Sequence, residues 1–147
     1  MANELFTTEQ KPVFVYGTLR AGQGNYLGIL QGTTVQERPA TLNDYTLFGA
    51  GVPFAVKREG RIVVGEVMDV DAELWTTVLR RLDRLEGYRG EGCENMYDRK
   101  VRTVTLADGS TVEAYVYLAG ESYCRYFTDA EEIPGGDFVK ADSRYPW

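Results

Sequence analysis

The sequence predicts an α+β fold built on a mostly antiparallel sheet that can curl into a barrel. Three observations carry this prediction. Apolar and β-branched runs recur along the chain and are separated by short turn signals. Residues 72–85 show one substantial amphipathic helical pattern. Asp108-Gly109 joins two alternating runs and is the strongest hairpin signal present. Strands linked mainly by tight turns, with one long helix among them, fit α+β better than the strict alternation of a parallel α/β sheet.

Residues 1–11 read as a loose, polar lead-in. Residues 12–16 follow with Val13, Phe14, Val15 and Tyr16 in one apolar run, the pattern of a central strand buried on both faces. Residues 17–24 form a glycine-rich loop, and a short helix is predicted at 26–30. Residues 44–48 read as a strand closed by Gly49-Ala50-Gly51, and 54–57 as another that turns at Arg58-Glu59-Gly60. Residues 61–70 form a longer β run in which Gly65 suggests a bulge.

The helix over 72–85 has Asp71 as its N-cap and Glu73 favourably placed against the dipole. Leu74, Trp75, Val78, Leu79, Leu82 and Leu85 share its apolar face, and Gly87 is a natural stop. Residues 99–106 and 111–118 are the two arms of the Asp108-Gly109 hairpin. Beyond Gly120 the tail is aromatic and acidic, broken at Pro134-Gly135-Gly136. With no repeat and no second hydrophobic pattern, residues 1–147 are expected to form a single domain.

Composition narrows the function. The net charge is −6 with no basic stripe, which argues against nucleic acid or an anionic membrane as partner. No apolar run approaches the roughly 20 residues that span a bilayer. No basic-then-apolar leader opens the sequence, so a cytoplasmic location is expected. The chain contains no histidine, which removes histidine triads, HExxH zinc sites and imidazole shuttles. Cys93 and Cys124 are too few for a thiolate metal site and are expected to be free thiols. Proton transfer then falls mainly to a carboxylate.

Two segments could carry chemistry. Gly17 ends an apolar strand, and its missing Cβ would let a ligand approach the backbone N–H groups of Gly17, Thr18 and Leu19 as an anion nest. The same loop also reads as a simple turn loosened by Gly22 and Gly24. Glu86 closes the amphipathic helix at the edge of its apolar face. It is either solvated at the rim or drawn partly inward, where burial would raise its pKa toward that of a useful base. Among ten tyrosines, several lie in or beside these elements and suit the lining of a polar pocket.

These residues bring out a resemblance. Phe14-Val15-Tyr16-Gly17-Thr18-Leu19-Arg20, with Gly22, Gln23 and Asn25 after it, resembles the opening signature of the γ-glutamylcyclotransferase-like superfamily, in its AIG2-like and γ-glutamylamine cyclotransferase branch. Leu82-Asp83-Arg84-Leu85-Glu86 is similar to the family segment that carries the catalytic glutamate. Tyr97-Asp98-Arg99 looks like the family's Tyr-x-Arg at the start of a strand, and Ala114 to Tyr117 fits the hairpin. Gly135-Gly136-Asp137 stands where the family often has Gly-Asp-Trp, with Phe138 in place of the Trp.

The resemblance implies a small mixed, mostly antiparallel β-barrel with flanking helices. It implies release of 5-oxoproline and a free amine from a small γ-glutamyl substrate, with no metal and no cofactor. Glu86 would be the acid/base, and Tyr16, Gly17, Thr18 and Leu19 would hold the substrate carboxylate. Tyr97 and Tyr117 would complete the pocket with Tyr16. Residues 90–95 and the C-terminal tail have no clear counterpart and are expected to border the site, so the leaving amine is expected against them. The family motif tilts that amine toward γ-glutamylamines. Oligomeric state is not legible. A non-catalytic binding module with the same fold and pocket is the competing reading. A cysteine-nucleophile acyl transferase is weaker, because no histidine is present to activate a thiol.

Overall fold

A computed structural model describes residues 8–49, 52–124 and 132–139 of the chain. Five strands are formed: β1 (Val13–Val15), β2 (Thr34–Phe48), β3 (Phe54–Val70), β4 (Tyr97–Leu106) and β5 (Thr111–Ala119). They close into a barrel in the order β1-β3-β2-β4-β5. Every junction is antiparallel except the closure, where β1 runs parallel to β5 with Val13 opposite Tyr115. Among the described residues no helix is long and apolar enough to cross a membrane.

The short strand β1 decides how the barrel is filled. Its three residues are at most 3% exposed, because each face meets a different part of the core. Phe14 packs with Leu42, Val63, Val67, Val104 and Val116, a cluster drawn from all five strands and therefore the barrel interior. Val13 and Val15 pack outward with Trp75, Val78, Leu79 and Leu82 of the helix. The two-residue period of a strand thus divides one apolar run between two cores.

That helix, α1 (Trp75–Glu86), follows a single 3-10 turn at Ala72–Leu74. The Asp71 carboxylate accepts from the Glu73 N–H at 2.9 Å, as an N-cap should. Gly87 takes a left-handed conformation at φ 69°, and the Tyr88 N–H reaches back to the Asp83 carbonyl at 2.9 Å. This is a Schellman stop, and it makes Glu86 the last helical residue. The apolar face is narrower than the sequence predicts. Trp75, Val78, Leu79 and Leu82 are buried, but Leu74 and Leu85 are 38% and 39% exposed. Leu74 belongs to the 3-10 turn, which rotates it off the stripe, and Leu85 lies at a cavity.

Three other expectations need correction. Strand β2 begins at Thr34, ten residues before the predicted start at Asp44. Residues 34–43 lack strong β alternation and include Pro39. They are held by the ladder to β3 and by polar ties such as Arg38 to Asp69 at 2.9 Å. Arg58-Glu59-Gly60 does not end a strand. Strand β3 runs through it, but its partner register jumps from Tyr45↔Lys57 to Asn43↔Ile62. The turn signal marks an excursion within one strand, held by the Gly60 N–H on the Asp44 carboxylate at 3.1 Å. Gly65 is not a bulge, since it pairs in register with Ala40. A Cβ there would lie 2.2 Å from the Val15 carbonyl oxygen, so Gly65 is what lets β1 cross β3 so closely. Ala50-Gly51 of the predicted turn, residues 1–7 of the lead-in and the tail from 140 lie outside the described residues.

Candidate active site

A cavity of about 200 Å³ opens where the C-terminal end of β1, the loop after it, the end of α1 and the starts of β3 and β4 converge. All seven residues singled out from the sequence line it: Tyr16, Gly17, Thr18, Leu19, Glu86, Tyr97 and Tyr117. The barrel brings together segments that are far apart in sequence, because β1 sits between β3 and β5 while α1 packs across its outer face.

The loop forms one wall. The Arg20 N–H closes a turn on the Gly17 carbonyl at 3.0 Å, and the Asn25 and Tyr26 N–H groups both reach the Thr18 carbonyl at 3.1 Å. Asn25 also donates its side-chain amide to the Thr18 hydroxyl oxygen at 2.6 Å, which leaves the hydroxyl proton free to donate. The N–H groups of Gly17, Thr18 and Leu19 donate to no acceptor among the described residues. Arg20 anchors the loop from behind through Glu66 at 3.3 Å and Asp137 at 2.8 Å. The space beside Gly17 has a different occupant from the one expected. A Cβ there would meet Pro53 Cγ at 2.7 Å, so the glycine makes room for the Pro53 ring rather than for a ligand.

The opposite wall is rich in acceptors. Glu86 is largely buried, and its carboxylate makes no hydrogen bond or ion pair among the described residues. Burial alone raises its pKa to about 7. The Tyr97 hydroxyl donates to the Pro53 carbonyl at 2.7 Å, and the Tyr117 hydroxyl donates to Asp83 at 2.6 Å. What these two phenols can still offer the cavity is oxygen lone pairs. Tyr16 is more fully committed. Its hydroxyl donates to the Tyr117 carbonyl and accepts from the Ala55 N–H at 3.3 Å, so it braces β1 against both neighbours. Burial pushes all three phenols up, and the nearby Glu86 charge adds to the rise, so they stay protonated near neutrality.

Several lining residues escaped the sequence reading. Asn25 stood beside the loop motif without a role, Leu85 was assigned to the helix core, and Val52, Pro53 and Met96 carried no signal. Asp83 lies behind Tyr117 and also pairs with Arg99, whose guanidinium stacks 4.8 Å from the Tyr88 ring centroid. Its spacing of three residues from Glu86, which puts both on one helix side, was the available clue. Residues 90–95 do not border this cavity. They wrap around the buried Asn95, which accepts from the Arg89 N–H at 2.8 Å, and they line separate hollows. Cys93 is a free, exposed thiol outside the site.

The arrangement is polar in a directional way. Free donors line one wall, and a carboxylate with two phenol oxygens lines the other. Such a pocket can hold an anionic group and an ammonium group of one small molecule at once, and it can move a proton near pH 7.

Comparison with known proteins places the chain in a family. Residues 13–140 match the family model described as gamma-glutamyl cyclotransferase, AIG2-like. The chain is 33% identical to the gamma-L-glutamyl-butirosin B gamma-glutamyl cyclotransferase of Niallia circulans, over 80% of this chain and 73% of that protein. It is 37% identical to the gamma-glutamylaminecyclotransferase of Bos taurus, over 72% of this chain and 64% of that protein. An AIG2-like protein of Mus musculus superposes with a TM-score of 0.59 at 26% identity, over 82% of this chain and 86% of that one. The chain belongs to the AIG2-like γ-glutamyl cyclotransferase family.

Proposed function

We propose that this protein releases 5-oxoproline and a free amine from a γ-glutamylamine or γ-glutamyl amide, with Glu86 as its acid/base. The observation that carries this reading is the unpartnered Glu86 carboxylate, poised at about pH 7 in the same cavity as the free N–H groups of Gly17, Thr18 and Leu19.

In this mechanism the loop N–H groups hold the substrate's α-carboxylate, and the α-ammonium faces Glu86 and the phenol oxygens of Tyr97 and Tyr117. Glu86 takes one proton from the ammonium. The freed amine attacks the γ-carbonyl of its own molecule and closes a five-membered ring, and backbone donors stabilise the oxyanion. As the tetrahedral centre collapses, the C–N bond to the leaving group breaks, and Glu86 returns its proton to the departing nitrogen. The attacking nitrogen loses its second proton by the same route, so the amine leaves protonated. Nucleophile and electrophile are tethered, so much of the roughly 7–11 kcal/mol that proximity can contribute already resides in the substrate, and a rigid pocket adds the freezing of its reactive rotamer.

The test is 5-oxoproline release from a γ-glutamyl amide, with binding of the intact substrate to Glu86→Gln followed by calorimetry. The expected result is turnover by the wild type, and binding with turnover reduced about 10²–10⁴-fold in the variant. Turnover of the variant near the wild-type rate removes Glu86 from the mechanism. Binding without turnover by the wild type makes the protein a binding module.

A further inference from the structure

The cavity is built for the γ-glutamyl head, and its rim has a chemistry of its own. A volume of about 200 Å³ is roughly seven waters' worth, close to the bulk of the head alone. Whatever hangs from the γ-amide nitrogen must therefore pass over the rim. Among the described residues, two lining side chains are broadly open to solvent, Val52 at 49% and Leu85 at 39%, and both are aliphatic. The half-buried Met96 and the Pro53 ring continue this apolar surface inward. No Lys or Arg lines the cavity among the described residues, and the one charged group there is the Glu86 carboxylate.

We infer that the amine this site releases is uncharged beyond its reacting nitrogen and apolar, and that Val52 and Leu85 select it. This rests on the cyclotransferase reading above. A γ-linked amino acid would carry its own carboxylate past the rim, with no Lys or Arg among the described lining residues to receive it and the Glu86 carboxylate beside it. Like charges brought together in a partly desolvated place repel one another strongly. A distal ammonium would fare little better. Its one attractive partner is Glu86, and pairing there would occupy the proton carrier. A small alkyl group has neither problem, and it covers the exposed faces of Val52 and Leu85.

Three substrates that share a three-carbon chain test this: γ-glutamyl-n-propylamide, γ-glutamyl-2-aminobutyrate, which adds one carboxylate, and γ-glutamyl-3-aminopropylamide, which adds one terminal amine. The expected result is a kcat/KM for the propylamide at least about tenfold above each of the others. A smaller margin for either one, or a preference for it, overturns the inference while leaving the cyclotransferase reading intact. If none of the three yields 5-oxoproline, the cyclotransferase reading itself fails and the inference falls with it. Val52→Arg supplies the second arm. It should raise kcat/KM for the aminobutyrate while lowering it for the propylamide. Damage to the fold would lower both, so an unchanged ratio of the two counts against selection by Val52.

Discussion

Asp83 and Glu86 stand one turn apart on the same helix and live in opposite circumstances. Asp83 accepts from the Tyr117 hydroxyl and pairs with Arg99, which itself stacks on Tyr88 and Tyr115. Glu86 has burial without partners. The first carboxylate is neutralised and joins α1 to β4 and β5. The second is kept costly, and its cost is what gives it a proton affinity useful near neutrality. Which carboxylate can do chemistry is decided by missing partners and not by helix position.

The comparison breaks most visibly at Glu86 itself. Its folded-state pKa of about 7 lies above the ordinary 4.5. Between those values the folded protein keeps a proton that the unfolded chain has lost, so stability falls as pH rises across that window. Above it the buried charge costs about 3 kcal/mol. Glu86→Gln removes this penalty. Thermal melts should show the variant gaining about 3 kcal/mol on the wild type between pH 4.5 and pH 8, with a flat difference elsewhere. The acid limb of the wild-type kcat/KM profile should fall near the same pH of about 7. An equal difference at both pH values would mean that Glu86 is solvated.

Asp83→Ala should act in the opposite sense. It strands the Arg99 guanidinium and the Tyr117 hydroxyl, at a cost of about 2–4 kcal/mol in denaturant unfolding. Tyr117→Phe removes only one hydrogen bond and should cost about 1 kcal/mol. If Asp83→Ala were neutral or stabilising, the contrast between the two carboxylates would not hold.

A smaller effect than at either carboxylate is expected at the donor wall. Gly17→Ala places a methyl 2.7 Å from Pro53 Cγ and must push that ring aside. A stability loss of about 1–2 kcal/mol is expected, together with a raised KM as the loop shifts. An unchanged KM would mean that the loop N–H groups do not hold the substrate.

Much of this was legible in the chain itself, for local reasons. The apolar run at Val13 to Tyr16, the Asp71 cap, the Gly87 stop and the Asp108-Gly109 hairpin each depend on neighbours within a few residues, and each is present. Residues 34–43 were not legible, because they are strand only through their pairing with β3 and β4. At the site, the loop motif and Glu86 could be named from sequence, but the status of Glu86 could not. A glutamate ending a helix is solvated or buried according to what arrives from elsewhere.

The sequence by itself therefore determined the kinds of groups available: a glycine-broken strand end, a helix-terminal carboxylate, abundant tyrosine and no imidazole. The tertiary structure alone decided that Pro53 fills the space beside Gly17, that the Tyr97 and Tyr117 protons point away into Pro53 and Asp83, and that two aliphatic side chains guard the rim. Hydrogen-bond direction and burial depend on contacts between residues distant in sequence, and barrel closure is what brings those contacts about.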